Sequence, residues 1–206
     1  MKNFITFEGG EGTGKSTQSK LLFNSISKIT KKVVLTREPG GTKQSELLRD
    51  LIVKKKVSWD PLTEILLINA ARNEHIKKLI SPKLLEKNIV ICDRFIDSTY
   101  AYQVVGNNID PNLDKINHKY ILNGIKPDLT IVLKSSFKSI FLRLKKRKNK
   151  NKYDKLKINF YNKVQNAFLK KARLNRMKYV IFNSSNNDNM LEKKILKLIL
   201  NKIKYD

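Results

Sequence analysis

The chain has 206 residues, 40% of them hydrophobic, enough for one core of ordinary size. It carries 43 basic against 18 acidic residues, a net charge of +25, and one cysteine, which excludes an intrachain disulfide framework. No apolar run nears the roughly 20 residues of a membrane span, no Pro/Gly-rich linker divides the chain, and motif-bearing sequence starts within the first ten residues, so neither a targeting peptide nor a membrane association is expected.

Short apolar runs alternate with longer helical patterns along the chain. FITF (4–7) reads as a first strand and 15–29 as a first helix; KVVLT (32–36) is a second strand, followed by helical stretches over 43–54 and 62–86. Asp60-Pro61 supplies an N-cap and a proline at the first helical position, while Pro82 should kink or interrupt the long helix. NIVIC (88–92) is a third strand with Cys92 as a core thiol, followed by helices over 97–106 and 112–123. DLTIVL (128–133) is a fourth strand, then come helices over 136–147, capped by Ser136, and 156–175; YVIF (179–182) is a fifth strand and 189–203 a last helix. Strands that read as buried on both faces and alternate with helices predict an α/β fold: a five-stranded parallel sheet with right-handed crossovers and helices on both sides.

The charge alone predicts attraction to polyanions. Lysine, however, outnumbers arginine 35 to eight, and asparagine and isoleucine are abundant too, a skew that A/T-rich codons produce without selection for a partner. Each arginine is then informative, because only its planar fork grips phosphate at two points. The run KKRKNKNKYDK (145–155), seven Lys or Arg in eleven positions, is the densest basic patch. The chain lacks a recognised nucleic-acid module and an aromatic platform interleaved with these charges, so no specific nucleic acid is expected.

FEGGEGTGKST holds Gly9-x-x-x-x-Gly14-Lys15-Ser16, the P-loop pattern, between the first strand and the first helix. Its backbone N–H groups can ring phosphate oxygens, Lys15 can reach the outer phosphates, and Ser16 can ligate Mg²⁺. The expected ATP-binding set is Gly9, Gly10, Glu11, Gly12, Thr13, Gly14, Lys15, Ser16 and Thr17. TREPGGT (36–42) brings Arg37 and Glu38 to the end of the second strand, where ligands bind in open α/β sheets. The two glycines after Pro39 suggest a specified backbone, and a cis Pro39 would suit it. CDRFIDSTYAYQ (92–103) ends the third strand with Asp93, placed for a metal-associated carboxylate, and Arg94, able to clamp a second phosphate. Tyr102 and Gln103 offer a stacking face and a base-reading amide. No N-K-x-D base-reading stretch of a GTPase is present. Two arginine-bearing loops facing one P-loop indicate phosphoryl transfer to a second phosphorylated substrate.

FEGGEGTGKST, TREPGG, TEILLINAAR, DRFIDSTYAYQ and PDLTIVL together resemble the thymidylate kinase family of nucleoside monophosphate kinases, in order and spacing over roughly residues 3–175. The resemblance implies a single P-loop NTPase domain that converts dTMP and ATP to dTDP and ADP with Mg²⁺, as a cytoplasmic homodimer joined through the central helices. It implies that Arg37 and Arg94 hold the dTMP phosphate with Glu38 nearby, that Arg72 meets the thymine edge, and that Thr99 and Gln103 line the base site. Tyr102 would pack on the sugar, Glu11 would face its acceptor end, and Ser16 and Asp93 would manage the metal. Two positions depart from the pattern. Ile68 stands where the family usually stacks a phenylalanine on thymine, and Asn151-Lys152 stand where the basic lid (about 145–157) usually has Asp-Arg. The implied catalytic cations are Lys15, Arg94, Arg143, Arg147 and Lys152, with Arg147 the expected main transition-state contact. A kinase of altered acceptor choice, an inactive relative and a nucleic-acid-binding P-loop protein are the alternatives.

Overall fold

A computed structural model describes residues 3–54, 57–147, 153, 157–185 and 189–202. Five strands alternate with helices in the order β1 (Phe4–Glu8), α1 (Lys15–Ser27), β2 (Val33–Arg37), α2 (Lys43–Arg49), α3 (Pro61–His75), α4 (Ser81–Leu85), β3 (Ile89–Asp93), α5 (Ile96–Thr99), α6 (Pro111–Leu122), β4 (Leu129–Lys134), α7 (Phe137–Lys146), α8 (Ile158–Leu174), β5 (Tyr179–Asn183) and α9 (Asn189–Lys202). All strand pairs are parallel, in the spatial order β2-β3-β1-β4-β5.

Period-2 side chains give the sheet two apolar faces. Ile5, Phe7, Ile91, Leu129 and Ile131 pack with Leu22 and Ile26 of α1 and Ile195 and Ile199 of α9. Phe4, Val90, Cys92 and Phe95 pack on the opposite face against Ile76, Ile80 and Leu122. Burial on both faces holds for β1, β3 and β4 but not for the edges: β5 is half-buried through Tyr179–Phe182, and β2 is half-buried at Val34 and Leu35. An edge strand has one unpaired side and less cover, which its apolar composition did not reveal.

The capping expectations hold. The Asp60 carboxylate accepts from the Leu62 and Thr63 N–H groups, and Ser136 Oγ accepts from Ser139 N–H. The long helix is not broken at Pro82. It passes from α3 into a π-wound turn, Ile76–Ile80, before α4, and the wider turn accommodates a ring that would clash with an α-helical carbonyl one turn back. Similar π-wound turns extend α2 over Asp50–Lys54 and α5 over Tyr100–Gly106.

Pairing register positions the loops. Asp93 lies beside Phe7 on one side and Arg37 on the other, so the P-loop, TREPGG and DRFIDS segments leave the sheet at one carboxyl edge. Arg94 N–H donates to the Phe7 carbonyl and Glu38 N–H to the Asp93 carbonyl, both at 2.9 Å.

Candidate active site

The three loops open into a cavity of about 580 Å³, the size of a small-molecule site. At one end lies the P-loop. Gly9 has φ 139° and no room for a side chain: a Cβ there would sit 2.3 Å from the Leu133 carbonyl oxygen. Thr13 Oγ1 and Lys15 Nζ both donate to the Gly10 carbonyl, at 2.8 and 2.7 Å. Burial, together with the neighbouring Arg94 charge, pushes the Lys15 ammonium down to about 8. Ser16 Oγ donates to Asp93 Oδ2, while Asp93 Oδ1 is buried without a hydrogen-bond partner.

α7 and the turn after β5 brace this loop. Arg143 donates to the Gly12 carbonyl at 3.0 Å and to the Ser184 and Ser185 carbonyls at 2.6 and 3.1 Å, and Ser184 Oγ donates to the Thr13 carbonyl at 2.7 Å. Arg143 is thereby placed as an anchor of the phosphate loop. Arg147, at the end of α7, is more exposed and lies 3.6 Å from Glu11 Oε2.

Beside the P-loop, Arg94 (φ 72°) donates to Glu11 Oε1 at 2.6 Å and lies over the Tyr102 ring at 5.1 Å. Burial alone would raise the Glu11 carboxyl, but Arg94, Lys15 and Arg147 outweigh it and hold the group below its ordinary range. Arg37 pairs with Glu46 at 3.0 Å, and Arg49 Nη1 donates to the Pro39 carbonyl at 2.6 Å. Burial and the charges of Arg37 and Arg94 lower the Arg49 guanidinium, the signature of cations gathered where an anion belongs. The Glu38–Pro39 bond is cis.

The far end of the cavity sets apolar Ile68 and Phe95 among buried polar side chains that bond one another. Arg72, 2% exposed, donates Nε–H to Glu38 Oε2 at 2.7 Å, Nη1–H to Asn69 Oδ1 at 3.1 Å, and Nη2–H to the Phe95 carbonyl and to Thr99 Oγ1 at 3.3 and 2.9 Å. A guanidinium has five N–H bonds, so one on Nη1 remains for a ligand. Gln103 donates Nε2–H to Glu64 Oε1 at 2.8 Å. The nitrogen thus faces the Glu64 carboxylate oxygen, and the amide oxygen is left to the cavity. Ile68 is buried, and both it and Tyr102 line the cavity.

A family model for thymidylate kinase matches residues 7–195. The chain belongs to the thymidylate kinase family. A thymidylate kinase of Wolbachia pipientis wMel is 49% identical over 168 residues, 80% of this chain and 82% of its own length. A second, from Wolbachia pipientis subsp. Culex pipiens (strain wPip), is 42% identical over 206 residues and 98% and 97% of the two chains. The crystal structure of thymidylate kinase from Ehrlichia chaffeensis superposes with a TM-score of 0.79 at 36% identity, covering 96% of this chain and 98% of that one. The P-loop NTPase fold is therefore shared along nearly the whole chain.

The cavity brings together Glu11, Lys15, Ser16, Thr17, Arg37, Glu38, Ile68, Arg72, Asp93, Arg94, Thr99, Tyr102, Gln103, Arg143 and Arg147. Lys152 and its neighbour Asn151 lie outside the described residues. Sequence reading missed Arg49, although its own argument about scarce arginines should have flagged it. His75 stands beside Glu38. The ring is fully buried and bonded at both nitrogens, Nε2 to Thr36 Oγ1 at 2.7 Å and Nδ1 to Glu38 Oε1 at 3.1 Å, so it helps to hold the carboxylate that holds Arg72. The available signal was spacing: His75 is one helical turn beyond Arg72. The glycine pair now has a cause as well. A Cβ on Gly41 would lie 2.4 Å from His75 Nε2, and one on Gly40 would lie 2.4 Å from Glu46 Oε1.

Proposed function

We propose that the chain is a dTMP kinase that moves the γ-phosphoryl group of ATP to dTMP, giving dTDP. The observation that carries this reading is the pairing, in one cavity, of a phosphate loop with an arginine cluster and a fixed donor–acceptor pair beyond it. The remaining Arg72 Nη1–H suits a ring carbonyl, and the Gln103 oxygen suits an adjacent ring N–H. Thymine and uracil present that order; cytosine presents its reverse.

In this reading the P-loop amides and Lys15 hold the ATP phosphates, and Arg37, Arg49 and Arg94 hold the acceptor phosphate. Glu11 orients Arg94, and Tyr102 covers the sugar. Catalysis is alignment plus neutralisation of charge on the transferred group, with Arg147 best placed to reach it from α7. Mg²⁺ fits the donor set, since Asp93 has a buried orphan oxygen beside the Ser16 hydroxyl. When bound, the ion offsets phosphate charge; Ser16 and Asp93 would hold it. Lid function for 145–157 is supported by Lys146, Arg147 and Tyr153, all of which line the cavity. A homodimer through the central helices is supported by Leu62 and Leu66, exposed one turn apart on α3. A cytoplasmic location belongs to the same reading; among the described residues no helix is long and apolar enough to cross a membrane.

Coupled ATP consumption with dTMP, dUMP, UMP and dCMP tests the assignment. The expected order puts dTMP first and dCMP last. Absence of dTMP turnover, with salt-dependent DNA binding in its place, would overturn it.

A further inference from the structure

Gln103 can read a base only if its amide points one way, and the group that decides this lies behind the cavity wall. Glu64, in the first turn of α3, is 6% exposed and does not itself line the cavity. Its Oε1 accepts from Gln103 Nε2 at 2.8 Å and, on the same oxygen, from the Tyr153 hydroxyl at 2.8 Å. Tyr153 is itself fixed from two directions. Its ring meets Tyr102 edge-on, with centroids 5.4 Å apart at 76°, and its carbonyl accepts from Tyr161 of α8 at 2.9 Å. Side chains 39 and 89 positions away from Glu64 therefore converge on its one carboxylate oxygen.

We propose that Glu64 and Tyr153 are positioning residues for acceptor-base recognition: the carboxylate turns the Gln103 carbonyl oxygen toward the ligand, and the Tyr153 hydroxyl fixes the carboxylate. This rests on the dTMP kinase reading and deepens it. A pyrimidine with N–H at ring position 3 gains a bond to Gln103, while one with a lone pair there meets another lone pair. Burial and the Glu64 charge push the Tyr153 hydroxyl well above its ordinary range, so it stays a donor wherever the enzyme works. Tyr153 also lines the cavity, so a residue of the basic stretch that follows α7 completes the acceptor site as well as facing the phosphate end.

Glu64→Gln is the decisive change. An amide at 64 can donate as well as accept, so Gln103 is free to turn over and present its nitrogen. The preference for dTMP over dCMP, read as the ratio of kcat/KM values or by dCMP competition, should fall about 5–10-fold. A purely structural role would weaken both substrates together and leave that ratio unmoved. Tyr153→Phe keeps the ring and should raise the dTMP KM about 3–10-fold, more than it lowers kcat, with the ATP KM little changed. Combined with Glu64→Gln it should add almost nothing, because both changes act through one oxygen. An unchanged dTMP/dCMP ratio in Glu64→Gln, or fully additive effects in the double variant, overturns the proposal. If Glu64→Gln does not fold, as thermal unfolding would show, calorimetric dTMP and dCMP affinities of Tyr153→Phe decide: a reduced ratio supports the pair and an unchanged ratio overturns it. Parent enzyme that fails to turn over dTMP sinks the underlying reading, whereas active parent enzyme with an immovable ratio sinks only the inference.

Discussion

Glu38 is the side chain on which the Arg72 end of the cavity hangs, and Glu38→Gln is the sharpest test of that role. It is 4% exposed, lies 2.7 Å from the guanidinium of Arg72, itself 2% exposed, and bonds His75 at 3.1 Å through its other oxygen. At that separation the Coulomb attraction is about 6 kcal/mol with an effective dielectric of about 20, and desolvation of both groups offsets much of it. Removing one charge leaves the other buried without its counter-ion, at a cost of about 3–5 kcal/mol; glutamine can still accept a hydrogen bond, so the lower end, about 3 kcal/mol, applies. For a chain of this length the melting temperature should then drop by about 6–12 °C, and the dTMP KM should rise because Arg72 loses its aim. The effect is pH-dependent with a definite sign. Burial alone would raise the Glu38 carboxyl, but Arg72 and His75 prevail and hold it below its ordinary range. Its stabilisation is therefore present above the unfolded value, about 4.3, and lost as pH falls through the lower folded value. Thermal unfolding followed by circular dichroism from pH 3 to 8 should show parent and variant converging below about pH 4. A melting temperature within about 2 °C of the parent at pH 7 would refute the account.

Three further outcomes are expected. Arg147→Ala should lower kcat by about 10³-fold or more while changing the dTMP KM far less, as steady-state kinetics would show; a loss of only a few-fold would move the role to Lys152 or Arg143. Ile68→Phe should tighten dTMP binding by about 0.5–1.5 kcal/mol through ring stacking, measurable by calorimetry. Because Lys15 titrates near 8 in the free protein and phosphate would draw its charged form back, ATP binding above that pH should take up a proton. Calorimetry at pH 8.5 in buffers of different ionisation enthalpy would detect the uptake.

What could be read from the sequence divides by range. The P-loop, the strand ends bearing Arg37 and Asp93, and the Asp60 and Ser136 caps are written within a few residues, so pattern and local chemistry find them. Glu38 and Arg72 were each singled out, but their bond spans 34 positions and nothing local announces it. The bonds of His75 are hidden for the same reason: its partners, Thr36 and Glu38, lie 39 and 37 positions away. The glycine pair of TREPGG was legible as a constraint but not as its cause, which is the imidazole that fills the space a Gly41 side chain would need. Edge strands were not separable from central ones because apolar runs record average burial and not pairing on each side.

The same contrast of range resolves the +25 charge. Six of the eight arginines, Arg37, Arg49, Arg72, Arg94, Arg143 and Arg147, line the cavity, while among the described lysines only Lys15 and Lys146 do. Arginine is thus concentrated where rigid, two-point bonds are made, and the other described lysines lie away from the cavity. Charges farther from the site than the Debye length, about 8 Å at physiological salt, contribute a screened field that assists encounter with anionic nucleotides but adds little to holding them. The buried carboxylates Glu11 and Glu38 counter the arginines pairwise, so the cavity is a set of aimed cations and not a general polyanion surface. That distinction favours a small phosphorylated ligand over a nucleic-acid backbone, which would be served by an exposed stripe of charge.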